Sequence, residues 1–184
     1  MPLYVPAPQL GQKTALFADA MRVRIPVFVE EQNIPLENEL DGDEPRCWHF
    51  VCYDNEVPVG TLRIVTPPHP THGEGPEREP EGNYCKVGRL ATLKEWRGKG
   101  VGKLMVESAV EFMRKNPSEV GCRDLEGKRI DGEWDGRLLA HAQCGVRGVW
   151  EKLGFEVDED MGQWMEEKIM HCGMWRRVSL EKAE

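Results

Sequence analysis

The chain has 184 residues, 40% hydrophobic and 30% charged, and its 24 lysines and arginines are outnumbered by 32 acids for a formal net charge of −8. This acid excess argues against a nucleic-acid binder or a protein of anionic membrane surfaces. No apolar run approaches the roughly 20 residues of a membrane helix, and residues 1–6 lack the basic flank of a signal peptide. The six cysteines form no Cys-x-x-Cys pair. We therefore expect a cytoplasmic protein in a reducing compartment, with no metal site.

The first half of the chain predicts one helix followed by a hairpin. Residues 3–5 are a candidate first strand, and residues 14–25 read as a helix that Pro26 ends or bends. Apolar runs at 48–53 and 57–65 flank turn residues and predict a hairpin. Residues 66–82 contain five prolines and three glycines, which predicts an exposed loop.

The second half alternates strands with helices. Residues 85–93 and 137–142 are predicted strands, and 118–136 is a second long, polar loop. Apolar residues at i, i+3 and i+4 spacing predict a helix over 101–115, and a shorter helix over 145–153 is closed by Gly154. A final hairpin ends near residue 178. Strands interrupted by few helices predict an α+β fold around one mixed or antiparallel sheet.

The acids are concentrated in two stretches that contain no base. Residues 30–44 hold seven acids and residues 156–167 hold six. The remaining 19 acids are outnumbered by the 24 bases, so the rest of the chain carries about +5. We expect both acidic stretches to lie on the side of a binding cleft that receives a cationic partner. Solvated surface is the alternative.

The strand-to-helix junction at residues 97–102 has the sequence Arg-Gly-Lys-Gly-Val-Gly. Without Cβ atoms, the glycine backbone can approach an anion closely, and the helix dipole favours negative charge there. Arg97, Lys99 and Lys103 add positive charge. A flexible basic surface turn is the alternative. ATP binding is a weaker hypothesis, because the segment lacks the Gly-Lys-Ser/Thr ending of a P-loop and the spacing of a dinucleotide motif.

Residues 90–102 resemble the acyl-CoA signature of the GNAT superfamily of N-acetyltransferases. Its core pattern is Arg or Gln, two residues, Gly, one residue, then Gly or Ala, and Arg97, Gly100 and Gly102 match it. Residues 141–143 and 150–155 are similar to the second family motif, a helix ending in Tyr-x-x-x-Gly-Phe. The segments Val-Phe-Val-Glu-Glu-Gln at 27–32, Glu39-x-Asp41 with His49, and Ile169-x-His171-x-x-Met174 resemble a bacterial and fungal branch of small GNAT proteins.

The resemblance implies one GNAT-type acyl-CoA N-acyltransferase domain over residues 1–184, with loop insertions at 66–82 and 116–136. Its α+β fold would have a mixed, mostly antiparallel central sheet with splayed strands, flanked by helices. It implies acetyl-CoA as cosubstrate and direct attack on the thioester by a primary amine of a small molecule or a lysine side chain. We expect a cationic acceptor, no nucleic acid, no membrane, and a monomer or homodimer.

The implied cofactor-binding residues fall into three groups. The backbone of three residues at the end of a predicted strand would pair with the pantetheine arm. The glycine loop would hold the pyrophosphate. Two further residues belong to the second family motif. In that order they are Leu90, Ala91 and Thr92; Arg97, Gly98, Lys99, Gly100, Val101, Gly102 and Lys103; and Gln143 with Trp150.

Acyl transfer to an amine requires a base, because a lysine-like amine has a solution pKa near ~10.4 and attacks only when deprotonated. The candidate catalytic residues are Glu31, placed first, then His141 and His171. Asp41 and His49 are further candidates. Each has a structural alternative as a packed or surface residue.

Trp150 departs from the family pattern. Many GNAT enzymes have a tyrosine here, whose hydroxyl is thought to protonate the departing CoA sulfur. An indole N–H is too weak an acid for that step. The alternative function is therefore a catalytically weak or silent acyl-CoA-binding module.

Overall fold

The computed structural model describes residues 2–69, 76 and 80–180. The strands are β1 Gln9–Leu10, β2 Cys47–Asp54, β3 Val57–Val65, β4 Cys85–Thr92, β5 Arg137–Gln143, β6 Glu156–Val157, β7 Gln163–Glu166 and β8 Ile169–Arg177. The α-helices are α1 Ala15–Arg24, α2 Leu36–Glu39, α3 Val101–Lys115 and α4 Arg147–Lys152. Most of the predicted exposed loop at 66–82, residues 70–75 and 77–79, lies outside the described residues.

The described strands form one eight-stranded sheet in the order β1-β2-β3-β4-β5-β8-β6, with β7 on β8. Only β4 and β5 pair in parallel, and the other neighbours are antiparallel. Helix α1 packs on β2 and β3, and α3 packs on β2, β3 and β4. This confirms the predicted α+β fold with a mixed, mostly antiparallel sheet.

Prolines determine the local backbone structure at two places near the N-terminus. Residues 3–5 form no strand, because only Tyr4 bridges to Tyr53, and the nearby prolines at 2, 6 and 8 have no N–H for a ladder. Helix α1 is capped by Thr14, whose Oγ1 accepts from the amide of Phe17 at 3.1 Å. At Pro26 the chain changes into a π-helical turn, Ile25–Glu31. The turn carries the chain toward the middle of the sheet.

Helix α3 spans the predicted residues 101–115. Its buried face follows the predicted spacing and consists of Val101, Met105, Val106, Ala109 and Met113. These side chains pack with β2, β3 and β4 in the main hydrophobic core. The same core contains Val120 and Trp134 from the 118–136 loop, so this loop is anchored to the body of the protein.

Strands β4 and β5 pair over only three residue pairs and then separate. The last pair is Val87 with Ala140. Beyond it, β4 bulges: Gly88 pairs with Arg63 and Ala91 with Thr61, so two residues of β4 oppose one residue of β3. Arg89 in the bulge has a left-handed φ of +51°. A bulge bends its strand, and here the bend coincides with the point where β4 leaves β5.

A buried ion network lies between α1 and the sheet. Glu44 is fully buried and accepts hydrogen bonds from Arg24 and from Arg63, both at 2.8 Å. The whole network contains three arginines and three acids: Arg24, Arg63 and Arg89 with Glu39, Asp41 and Glu44. Because the charges cancel, the network is tolerated in the interior.

His49 lies at the buried end of this network, with Nε2 3.3 Å from Glu44 Oε2. Burial is the largest effect on this imidazole and lowers its pKa to about 4, although the Glu44 carboxylate opposes the shift. The folded protein therefore holds His49 neutral.

This neutral His49 predicts a loss of stability in mild acid. In the unfolded chain, His49 takes up a proton as the pH falls below 6.5. In the folded chain, His49 stays unprotonated down to about pH 4. We expect His49 to lower the free energy of unfolding by about 2 kcal/mol between pH 6.5 and pH 5. Urea unfolding of wild type and His49→Gln across this range measures the difference in slope. Identical slopes would contradict a neutral buried imidazole.

Candidate functional site

A cleft of about 860 Å³ opens where β4 and β5 separate. Its walls come from β3, β4 and β5, from the π-helical turn with α2, and from the turn between β7 and β8. Arg97, directly before the glycine loop, lines one end, and residues 98–103 of the loop itself are not part of the lining. His141 of β5 and His171 of β8 lie along the other wall. The separation of two neighbouring strands therefore creates this concave site.

The β4 edge on the cleft side has no strand partner beyond Val87 in the described chain. The opposite edge of the same segment is paired, with Ala91 on Thr61 and Thr92 on Gly60. Leu90, Ala91 and Thr92 line the cleft. The peptide groups of this segment that point away from β3 can bind an extended amide-containing chain as an added strand would.

The glycine loop is shaped for an anion. Gly98 and Gly100 have left-handed φ values of +75° and +83°. A Cβ placed on Gly98, Gly100 or Gly102 would meet no atom beyond the neighbouring residues within 4 Å. Bonding within α3 begins with the amide of Leu104 on the Gly100 carbonyl, so the first-turn amides have no intrahelical partner. The loop presents amides and open space at the positive end of a 15-residue helix.

Two of the three bases predicted at this loop have contacts within the protein. Arg97 donates to both carboxylate oxygens of Glu31, at 2.8 and 2.9 Å, and to the Thr92 carbonyl at 3.1 Å. Lys99 Nζ lies 4.6 Å from the centre of the Trp96 ring. Glu31 is therefore held at the loop end of the cleft, where it positions Arg97.

His141 and Glu166 form a pair on the opposite wall. His141 Nδ1 lies 3.8 Å from Glu166 Oε2, and the ring packs edge-on against Trp164 with centroids 4.8 Å apart. His141 Nε2 is buried without a hydrogen-bond partner in the described part of the chain. The imidazole is thus oriented through one nitrogen, and the other nitrogen is unused.

Glu166 stays ionised despite its burial. Burial alone would raise its pKa, but His141, His171 and the Trp164 indole outweigh burial and lower the pKa to about 2. His171 Nδ1 donates to the Ile169 carbonyl at 2.9 Å, and its ring stacks on Trp164. Two histidines therefore flank one carboxylate at this wall.

The two remaining base candidates belong to the ion network. Asp41 lines the cleft and accepts hydrogen bonds from both terminal nitrogens of Arg63. Burial opposes ionisation of Asp41, but Arg63 and Arg89 lower its pKa to about 2, which makes it a poor base. His49 is buried under α1 and is absent from the cleft lining.

Gln143 and Trp150 lie where the cleft narrows beside α4. Gln143 donates to Gln32 Oε1 at 3.1 Å, which links the end of β5 to the π-helical turn. Trp150 lines the cleft, is 7% exposed and packs edge-on against Phe155. The indole fills the space of an aromatic side chain and offers no hydroxyl to the cleft.

Both acidic stretches contribute to the cleft, but in different ways. The acids of the first stretch that line it, Glu31, Glu39, Asp41 and Asp43, each pair with an arginine. From the second stretch, Glu166 lies beside His141 and accepts a hydrogen bond from the Trp164 indole at 3.3 Å. The first stretch therefore neutralises arginines and adds little attraction for a cation.

Three functional candidates were not predicted from the sequence. Arg63 interrupts the apolar β3 sequence, and Gly88 interrupts β4, so each carried a local signal of a special role. Glu166 lies within an acidic stretch that did not distinguish it from its neighbours. Only the β5–β8 pairing and the β7–β8 turn bring Glu166 to His141.

The acetyltransferase (GNAT) family model matches residues 15–127, more than half of the chain. The chain belongs to this family. It is therefore an acetyltransferase of a family that uses acetyl-CoA, as the resemblance of the glycine loop implied.

Relatives and solved structures agree with this assignment. The chain is 31% identical over 158 residues to the uncharacterized N-acetyltransferase YjcF of Bacillus subtilis, covering 86% of this chain and 90% of YjcF. It is 26% identical over 166 residues to the uncharacterized protein YyaT of the same organism, covering 88% of each. An acyl-CoA N-acyltransferase from Pseudomonas aeruginosa superposes with a TM-score of 0.67 at 22% identity, covering 95% of this chain and 99% of that chain. The NatC complex bound to Gag peptide and CoA gives 0.58 at 13% identity, covering 97% of this chain and all of that one.

The loop and the β4 edge fit CoA on the observations above, because open amides face open space at both. In the described chain, no group of three or more His, Cys, Asp or Glu side chains could hold a metal ion. No described helix is long and apolar enough to cross a membrane.

The loop geometry predicts that Gly100→Ala weakens CoA binding at least tenfold. The left-handed φ costs a Cβ-bearing residue about 1–2 kcal/mol, and relaxation of that strain turns the amides away from the ligand. Calorimetric titration with CoA measures the dissociation constant. Gly148→Ala, in α4 and also without atoms within 4 Å, is the matched control and should change it less than twofold. An unchanged Kd in Gly100→Ala would contradict the assignment of this loop.

Proposed function

We propose that the protein transfers an acetyl group from acetyl-CoA directly to a primary amine, of a small molecule or a lysine side chain, with His141 as the general base. The observation that carries this proposal is that one cleft is lined by the free β4 edge, by Arg97 beside the glycine loop and by the His141–Glu166 pair. The acyl donor and the base thus meet where β4 and β5 part.

The binding side uses mainly backbone. Leu90, Ala91 and Thr92 would hold the pantetheine arm, and the amides of residues 98–103 would hold the pyrophosphate. Arg97 would stay tethered to Glu31, which keeps its charge beside the loop. A free amide on the β4 edge can also polarise the thioester carbonyl as negative charge develops on its oxygen.

His141 is better placed for the proton transfer than the other candidates. Glu166 lies 3.8 Å from Nδ1, so a proton on Nδ1 would face the carboxylate and leave the Nε2 lone pair for the acceptor. Both carboxylate oxygens of Glu31 accept hydrogen bonds from Arg97, so Glu31 is already engaged at the loop end of the cleft. His171 supports the site by helping to keep Glu166 ionised.

The charge pattern favours a cationic acceptor at one position. The cleft arginines among the described residues are all paired with acids: Arg46 with Asp43, Arg63 with Asp41, Arg89 with Glu39 and Arg97 with Glu31. Glu166 is ionised and forms no ion pair with a lysine or arginine of the described chain. An incoming ammonium would form an ion pair with this carboxylate and bring one of its protons to His141.

The buried Trp150 implies that no side-chain acid at this position protonates the departing sulfur. A thiol ionises near pKa 8.5, so the CoA thiolate is a good leaving group near neutral pH without such an acid. This reasoning favours an active enzyme over the alternative of a silent acyl-CoA-binding module, which would bind acetyl-CoA and release no CoA thiol with any amine.

The assignment of the base predicts that His141→Gln lowers kcat/KM for the amine by about 10²-fold or more. The Kd for CoA should stay within twofold, because His141 lies away from the glycine loop. His171→Gln should lower kcat/KM for the amine less than tenfold. Glu31→Gln should change the affinity for CoA more than it changes kcat. CoA-thiol release against a panel of amines provides the rates. A fully active His141→Gln enzyme would contradict the assignment.

A further inference from the structure

Gly88 and His141 are the first residues of β4 and β5 after the two strands part. The last pair is Val87 with Ala140, and the next residue on each strand is Gly88 and His141. On its other side Gly88 pairs with Arg63 of β3. Arg63, Gly88 and His141 thus stand in one row across three strands, and all three line the cleft.

The space above Gly88 is open. A Cβ placed on Gly88 would have one atom within 4 Å, Arg63 Nε at 4.0 Å, and the φ of Gly88 lies outside the left-handed region. A side chain would therefore be tolerated here by the backbone and would only fill the cleft. The missing side chain leaves a hollow, the Gly88 hollow, with Arg63 on one flank and His141 on the other.

Each flank has one polar atom with an unused hydrogen-bonding position. The terminal nitrogens of Arg63 bind Glu44 and Asp41, but its Nε is buried without a partner in the described chain, and the side chain is 7% exposed. His141 Nε2 is likewise buried and unpartnered among described residues. Arg63 Nε–H can only donate, because arginine stays protonated. To form a hydrogen bond, this N–H must donate to an oxygen of a ligand bound in the Gly88 hollow.

The charge of that oxygen follows from the ion network. Three arginines and three acids cancel around Arg63, and His49 is neutral. A carboxylate placed at Arg63 Nε would add an uncompensated negative charge beside Asp41 and Glu44. A neutral carbonyl or hydroxyl oxygen would satisfy the N–H without that penalty.

On the basis of the proposed function, we propose that the acceptor is an amine with a neutral hydrogen-bond-accepting oxygen a few bonds from the nitrogen. Arg63 Nε–H binds the oxygen, the Gly88 hollow holds the connecting atoms, and His141 with Glu166 binds the ammonium. Paired strands lie about 4.8 Å apart, and β4 and β5 are no longer paired beyond Val87, so the β3 and β5 backbones are at least about 10 Å apart here before their side chains reach inward. A compact amino amide or amino alcohol fits between them.

A panel of four small amines tests this selection on the wild-type enzyme. Glycinamide and 2-aminoethanol carry the neutral oxygen, n-propylamine replaces it with carbon, and glycine replaces it with a carboxylate. We expect kcat/KM at least tenfold higher for the first two than for n-propylamine, with glycine lowest. Calorimetric binding of each amine to the protein–CoA complex should give the same order. Equal values for 2-aminoethanol and n-propylamine, or a preference for glycine, would overturn the inference.

Gly88→Ala tests the hollow directly. The added methyl should raise KM for glycinamide at least tenfold and leave the Kd for CoA within twofold, whereas the control Gly148→Ala should change neither. An unchanged KM in a folded Gly88→Ala enzyme would overturn the inference. A protein that binds CoA but acetylates no amine would instead contradict the proposed function, so the two failures are distinguishable.

Discussion

The separation of β4 from β5 after three residue pairs is the constraint on which the rest of the site depends. Had the ladder continued, Gly88 would pair with His141, and the peptide groups of residues 88–92 would be consumed by the sheet. The bulge at Arg89 and the early separation leave that edge free, and we propose that the acyl donor binds there. The same event opens the cleft that His141 and Arg63 both line.

The buried ion network explains what the acidic stretches do. Three acids of residues 30–44 neutralise three arginines, so these three carboxylates are not available to attract a cation. The network holds the segment after α1 against β3 and fixes the Arg63 guanidinium by its terminal nitrogens. Glu166 of the second stretch, with two histidine neighbours, is the carboxylate that an ammonium can join. Net charge alone concealed this division.

Local signals predicted much of the fold and the cofactor side. Hydrophobic periodicity and the glycine junction predicted α3 at residues 101–115. The match of Arg97, Gly100 and Gly102 to a family pattern identified the loop from the sequence alone. The acceptor side depends on contacts between residues far apart in the chain, such as His141 with Glu166 and Arg24 with Glu44, which no local pattern reveals. Pro26 illustrates the limit: the sequence predicted an interruption but not that the chain would continue as a π-helical turn.

Amide hydrogen exchange with and without CoA tests most directly whether the strand separation holds the acyl donor. The account predicts slower exchange at residues 90–92, whose free edge would pair with the pantetheine arm, and at 98–103, whose amides would bind the pyrophosphate. Exchange in β1 and β2 should not change. Saturation with CoA that leaves both segments unprotected, or protects only regions outside the cleft, would contradict the account.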